Sequence, residues 1–298
     1  MPNPGDETRN HAKTDNPTPY IEQLDEKRNR RTRRGRKNKS ELNKLTLLYQ
    51  NVRGIRSKIA SLQMIIEEQK PSIICLVETH LNEEEEREPY IGEEDEGEAN
   101  NHLEGEGYRV MRKERKGKGG GCLIAYKKDI ETLVTEIQTE ESACEALWIK
   151  VGNDTTKIKI GTVYMPGEKT PKKTLENAYR EIEAEIVCES DLEEYIVCGD
   201  FNAKLKFSDS LESPAGRIMQ SFINRNGLHV INQCTQCIGK WTRQEGNSKS
   251  VIDFVLSKND ALVSQMVIDE PKDFSVLYYK TTEGETRKIY SDHNAIKI

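Results

Sequence analysis

From Leu45 onward the chain is a succession of short apolar runs, each closing on polar residues, and the run from Ile73 to Val77, five residues long, is about as long as they get. A bilayer span takes about 20 apolar residues, so none of these runs can cross a membrane. Their length suits β-strands, with 72–77 reading as a buried one. Residues 45–52, 72–77, 122–126, 147–151, 158–165, 195–198, 251–256 and 275–279 fit that description. Between the first two, Ile55, Ile59, Leu62, Ile65 and Ile66 recur at helical spacing until Pro71. Two further helices are signalled by a hydroxyl residue followed by proline, one opening at Thr170 with Pro171 in its first position, the other at Ser213 with Pro214. A hydroxyl caps the free N–H groups of a helix start, and proline has no N–H to leave unpaired there. Mixed strands and helices predict one α/β or α+β domain over residues 45–298.

Two segments fall outside this pattern. Residues 1–44 hold twelve Lys/Arg against seven Asp/Glu, net +5, which leaves −11 for the remainder of a chain whose total is −6. So few apolar side chains cannot offset the entropy of ordering, and the arm reads as disordered. Nine of its thirteen residues from Lys27 to Lys39 are basic, which suits nucleic-acid contact or nuclear import as well as a merely solvated tail. Residues 83–106 carry twelve Asp/Glu and read as an extended acidic loop inserted in the domain. Residues 1–30 lack the apolar block of a signal peptide. The seven cysteines, an odd number in a long chain, argue for a reducing compartment. A nuclear or cytoplasmic protein is expected, not a secreted one. Cys234 and Cys237 form a CxxC with no second pair at metal-finger spacing, so ordinary thiols are the plainer reading and zinc the alternative.

The chemistry sits where apolar runs end. Asn51 follows LTLLYQ, Glu78 follows SIICLV, Asp200 and Asn202 follow YIVCG, and Asp292 and His293 precede NAIKI. Strand ends are where α/β sites are assembled, although each residue alone could be a cap or a turn. Together they supply carboxylates, amides and an imidazole, a set that suits a hard, oxygen-liganded cation such as Mg²⁺. The chain has five His and no HExxH, so a zinc hydrolase fits less well, and no P-loop is present.

The ordered segments QNVRGIRSK (50–58), ETHL (78–81), GGGCLIAY (119–126), TVYMP (162–166), GDFNA (199–203), IDFVLS (252–257) and SDHNAI (291–296) resemble the endonuclease/exonuclease/phosphatase family, which includes exonuclease III, apurinic endonucleases and deoxyribonuclease I. The wording of ETHL, GDFNA and IDFVLS is most similar to the endonuclease domain of non-long-terminal-repeat retrotransposons. The resemblance implies a four-layered α/β/β/α sandwich, two packed sheets with helices outside. It also implies roles: Glu78 as principal Mg²⁺ ligand, with Mn²⁺ as substitute, Asn51 beside it and Asp292 sharing the coordination. His293, paired with Asp253, would meet the phosphate; Asp200 would orient the attacking water; Asn202 and Tyr164 would bond phosphate oxygens. Alternation along the 251–256 run leaves a solvent-facing Asp253 as the competing reading, and Tyr164 and Trp241 could each be core aromatics. Trp241 and Arg243 are candidates for substrate contact, because 243–250 reads as an exposed hairpin next to the Asp253 strand. His80 reads as structural.

The expected activity is nicking of DNA to leave a 3′-hydroxyl for reverse transcription. The alternatives are a phosphodiesterase or phosphatase of the same fold acting on RNA, an inositol phosphate or a phospholipid head group, and an inactive copy kept for nucleic-acid binding. A full-length retroelement would add a reverse transcriptase domain; none follows here, which suggests a fragment, a truncated element or a domesticated copy. Apurinic endonucleases carry Asn three positions after Tyr164, where this chain has Gly167, so abasic-site specificity is not expected.

Overall fold

The computed structural model describes residues 45–81, 103–113, 120–138, 144–153, 156–187, 193–206, 211–269, 277–280, 286–289 and 292–298. The basic arm and most of the acidic segment lie outside them. At the end of that segment Leu103 is buried in the core.

The elements run in the order β1 (Leu47–Asn51), α1 (Ile59–Gln69), β2 (Ile73–Val77), β3 (Tyr108–Lys113), β4 (Cys122–Lys127), β5 (Val134–Ile137), β6 (Glu145–Asn153), β7 (Thr156–Tyr164), α2 (Lys172–Ile186), β8 (Glu193–Asp200), α3 (Pro214–Asn226), β9 (His229–Val230), β10 (Cys237–Ile238), β11 (Arg243–Glu245), β12 (Ser248–Ser250), β13 (Asp253–Ser257), β14 (Met266–Ile268), β15 (Leu277–Lys280), β16 (Thr286–Ile289) and β17 (Ile296–Lys297). One sheet has the order β10-β14-β17-β1-β2-β4-β3 and the other β5-β6-β7-β8-β13-β9. The pairs β11–β12 and β15–β16 form separate ribbons.

Every residue of β1, β2 and β13 is buried because each strand is covered twice. Leu48, Ile74, Leu76, Leu123 and Ala125 face α1, where they meet Leu62, Ile65 and Ile66. On the other sheet Val163, Val197, Phe254 and Leu256 pack under Leu175, Tyr179, Met219 and Phe222 of α2 and α3. The alternate residues, among them Tyr49, Cys75 and Cys198, lie between the sheets. Four layers result, α1 on one sheet and α2 with α3 on the other: the deoxyribonuclease I-like sandwich. Asp253 belongs to the inter-sheet set and is fully buried, which rules out the solvent-facing reading.

The helix starts differ in detail from the sequence expectation. Ser213 caps α3, its Oγ accepting from Gly216 N at 3.0 Å with Pro214 in the first turn. At α2, by contrast, Pro171 is itself the cap residue, with ψ 138 and no side-chain cap. Its carbonyl accepts from Thr174 N and Leu175 N, which leaves Thr170 outside the helix. No disulfide joins the six cysteines among the described residues, Cys234 and Cys237 included. None of the described helices is long and apolar enough to cross a membrane.

Candidate active site

Strand direction brings the polar run ends to one edge of the sandwich. Asn51 is paired with Val77, the residue before Glu78. Tyr164 and Asp200 face each other at the ends of the parallel pair β7–β8, and antiparallel β13 delivers Asp253 opposite Asp200. His293 enters from the segment before β17, fixed by a backbone bridge to Arg243.

A chain of hydrogen bonds runs through this edge. The Tyr49 hydroxyl donates to Asp253 Oδ1 at 2.8 Å, and Asp253 Oδ2 lies 2.8 Å from His293 Nδ1. Thr242 Oγ1 accepts from Asp253 N at 3.0 Å, fixing the strand start. The other imidazole nitrogen, Nε2, is 3.9 Å from Asp200 Oδ2, which accepts from Asn51 Nδ2 at 3.0 Å. Asp200 Oδ1 accepts from Asn202 N at 2.9 Å. Asp200, Asp253 and His293 are all buried, with one ligand atom of each within 4.8 Å of the others.

Burial first, and the charge of Asp253 next, push Asp200 up to about 7. Burial works against a charged His293, but the charge and hydrogen bond of Asp253, with Asp200 and Asp292, outweigh it and raise the imidazole to about 9. Near neutral pH the pair is therefore split: His293 has a proton to give and Asp200 can take one. Glu78 behaves oppositely. Burial would raise it, yet hydrogen bonds from His80, Tyr164 and Asn51 and the positive His293 bring it to about 2.

Ionised Glu78, with its side chain 17% exposed and the Asn51 amide adjacent, offers hard oxygen donors that fit Mg²⁺ or Mn²⁺. The Asp200–Asp253–His293 cluster fits a cation less well, because it is buried more deeply than Glu78 and its Asp253 Oδ2 and ring Nδ1 are engaged with each other. Asp292, the third expected ligand, is ion-paired on both oxygens. Its Oδ1 meets Arg53 Nη1 at 2.9 Å and its Oδ2 meets Arg243 Nε at 2.7 Å.

The remaining candidates are placed as follows. Tyr164 is part-buried and its hydroxyl bonds Glu78. Asn202 turns one amide N–H back to Met165 O at 2.9 Å. Trp241 leans on the core below α3 with the Lys240 ammonium 4.5 Å from its ring centroid, so it serves packing as well as surface. Arg243 stands at the start of the expected hairpin, which is present as β11–β12 with Gly246 at φ 57 in its turn.

Five described non-glycine residues have left-handed φ, and apart from the helix-ending Lys70 they all line this edge: Arg53 (43), Glu78 (52), His80 (55) and Asn202 (48). Such conformations cost about 1–3 kcal/mol each and persist where neighbours over-determine them. Here Gly54 N and Ile55 N donate to Glu78 O and Thr79 O on one side, while Thr79 N and His80 N donate to Gly121 O and Gly120 O on the other. Gly121 has φ 89, and a Cβ there would lie 2.5 Å from Thr79 Oγ1, so glycine at this position suits the close approach of the Glu78 turn. Glu145 holds this turn through Gly121 N. Sequence reasoning missed Tyr49, Arg53, Thr242 and Glu145 and took His80 as structural, although its Nε2 lies 3.5 Å from Glu78 Oε2.

Comparison with known proteins agrees with this fold. No curated protein sequence matches the chain. Among solved structures, the endonuclease domain of TRAS1, a telomere-specific non-LTR retrotransposon, is 18% identical over 85% of this chain and 97% of its own, with a TM-score of 0.53. An AP endonuclease from Archaeoglobus fulgidus is 17% identical, covering 85% and 98%, with a TM-score of 0.58. The mannosyl-6-phosphatase Bt3783 of Bacteroides thetaiotaomicron is 15% identical, covering 85% and 98%, with a TM-score of 0.53. The model of the Endonuclease/Exonuclease/phosphatase family matches residues 48–293. The chain therefore belongs to the endonuclease/exonuclease/phosphatase family, whose members are hydrolytic enzymes.

Proposed function

We propose that the chain hydrolyses phosphodiester bonds in DNA as a divalent-cation-dependent endonuclease. The observation that carries this reading is the split pair at the sheet edge, with Asp200 near 7 and His293 near 9 on either side of a 3.9 Å gap. Hydrolysis of a phosphodiester needs a group that takes a proton from water and another that meets the charge growing on the phosphoryl oxygens. Asp200, oriented by Asn51 and Asn202, takes the proton. His293 presents Nε2 to the phosphoryl oxygen, because Asp253 occupies Nδ1 and stabilises the imidazolium. Glu78 and Asn51 would hold Mg²⁺ or Mn²⁺, which supplies further neutralisation of phosphoryl charge. Tyr164 orients Glu78, and Asn202 keeps a second amide N–H for the substrate.

The retroelement role rests on the wording of ETHL, GDFNA and IDFVLS, and the TRAS1 domain supports the fold it requires. In that role the enzyme nicks one strand and leaves a 3′-hydroxyl. Residues 1–44 are read as a basic arm appended to the 45–298 domain, adding affinity for DNA independent of sequence. The test is supercoiled plasmid. Open circles that form with Mg²⁺ or Mn²⁺, cease with chelator and carry ends a polymerase extends are expected. Intact plasmid under every cation, alongside turnover of a phosphomonoester, would replace the nuclease with a phosphatase.

A further inference from the structure

Beside the hydrolytic centre lies a cluster that the mechanism above does not use. Asp292 immediately precedes His293, and its two oxygens are bound by two different guanidiniums, Arg53 Nη1 at 2.9 Å and Arg243 Nε at 2.7 Å. The arginines come from distant parts of the chain, and each is held by its backbone. Arg53 has left-handed φ 43, with Asn51 Oδ1 accepting from its N–H at 3.1 Å. Buried Lys58 donates from Nζ to the carbonyls of Val52 and Arg53. Arg243 is bridged to His293, and the next residue, Gln244, donates its N–H to Asp292 O at 2.7 Å.

Two like charges aimed at one carboxylate need a reason, since a single arginine would satisfy it. The side chains of Arg53 and Arg243 are 50% and 34% exposed. Each guanidinium offers several N–H donors in a planar fork that matches a phosphate. Asp292, the residue before His293, fixes their spacing, and each arginine keeps a solvent-exposed portion. The remaining partner of Arg243 is Glu245, at 2.8 Å from Nη2, and its side chain is 67% exposed. An ion pair that exposed contributes little in water, so a phosphate can displace it.

We propose that Arg53 and Arg243, yoked by Asp292, form a second phosphate subsite next to the hydrolytic centre, occupied by a neighbouring phosphate of the nucleic-acid strand being cut. The inference rests on the nuclease reading and deepens it: the substrate carries a further phosphate beside the bond that breaks, which a phosphomonoester does not.

The experiment is a salt titration of binding, read by fluorescence anisotropy of a labelled DNA duplex in chelator, so that turnover plays no part. Arg53→Gln and Arg243→Gln should each weaken binding and flatten the slope of log affinity against log salt, and the double variant should flatten it by about 0.9 in all, the loss of one phosphate contact. Arg53→Lys, which keeps the charge, should retain the slope. Glu245→Gln should tighten binding, because it removes the competitor for Arg243; a residue that only supported the fold would not do so. Arg109→Gln serves as control: Arg109 pairs with Tyr126, at the end of the sheet where β2 begins, away from Glu78. It should leave affinity and slope unchanged. Unchanged slopes in both arginine variants, or unaltered binding by Glu245→Gln, would overturn the subsite. Plasmid nicking by the wild type separates the two ideas. Nicking without slope changes removes the subsite alone, whereas a wild type that neither nicks nor binds removes the nuclease reading and the subsite with it.

Discussion

His293 Nδ1 sits 2.8 Å from Asp253 Oδ2, and the other oxygen of that carboxylate is held at 2.8 Å by Tyr49 from the opposite sheet. The orientation of the imidazole is thus tied to the packing of the two sheets. Replacing His293 with Ala should lower the nicking rate by roughly 10² to 10⁴, the usual contribution of a positioned acid. Asp253→Asn should also lower it, because an amide does not stabilise the imidazolium. Tyr49→Phe keeps the ring and loses one hydrogen bond, so its loss should be smaller. Rates on plasmid, with folding checked by circular dichroism, decide the order; a fully active folded His293→Ala would refute the mechanism.

The pH profile follows from the same pair. Asp200 must be deprotonated to accept, so the rate should rise as pH passes through about 7. His293 must be protonated to meet the phosphoryl oxygen, so the rate should fall as pH passes through about 9. The two limbs belong to the coupled pair rather than to single residues. Rate measurements at saturating cation should give a bell, and Asp200→Asn should abolish its acid limb along with most of the activity. A profile flat from pH 6 to 10 would be incompatible with this assignment.

A third expectation concerns the strand that presents Asp200. A Cβ on Gly199 would lie 2.2 Å from Val163 O, and Phe254 flanks it on the other neighbouring strand. The clash is with the backbone of a paired strand, so Gly199→Ala should destabilise the domain by about 1–3 kcal/mol. Urea denaturation checks this, as a lower midpoint at unchanged slope.

Much of this architecture was legible in the sequence, and what was not had a physical reason. Strands such as Ile73–Val77 were readable because burial on both faces makes an unbroken apolar run. Edge strand β3 was missed, since only Tyr108 and Met111 of its six residues are buried and its run is broken by Arg109 and Arg112. Three-residue β14 was too short to stand out. The candidate residues Asn51, Glu78, Asp200 and His293 were readable as polar breaks at the ends of apolar runs, whereas Asp253, inside the 251–256 run, was assigned only through the family resemblance. Tyr49 was not, because a tyrosine inside a strand looks like core and its partner Asp253 is 204 residues away. The link from Arg53 to Asp292 spans 239 residues. The left-handed turns at Glu78 and His80 left no trace at those positions, since neither is Gly or Asn; the nearest signal was the distant Gly121, which packs against Thr79.

Specificity should reside in the hairpin. Residues Glu245 to Lys249 of β11–β12 are exposed at its tip, while its base is fixed to the hydrolytic centre by the Arg243–His293 bridge and by Asn294 N donating to Thr242 O at 2.7 Å. A rigid base with a free tip lets the tip change without moving His293. Contacts in a groove read sequence, whereas contacts to phosphate position the strand. Exchanging residues 245–249 for an unrelated turn of equal length, with Arg243 and Ser250 kept, should therefore alter which sites on a plasmid are nicked more than it alters the overall rate. Mapping the nicks by primer extension reads the first effect and conversion of supercoiled plasmid reads the second. An unchanged pattern would place the sequence-reading surface elsewhere on the domain.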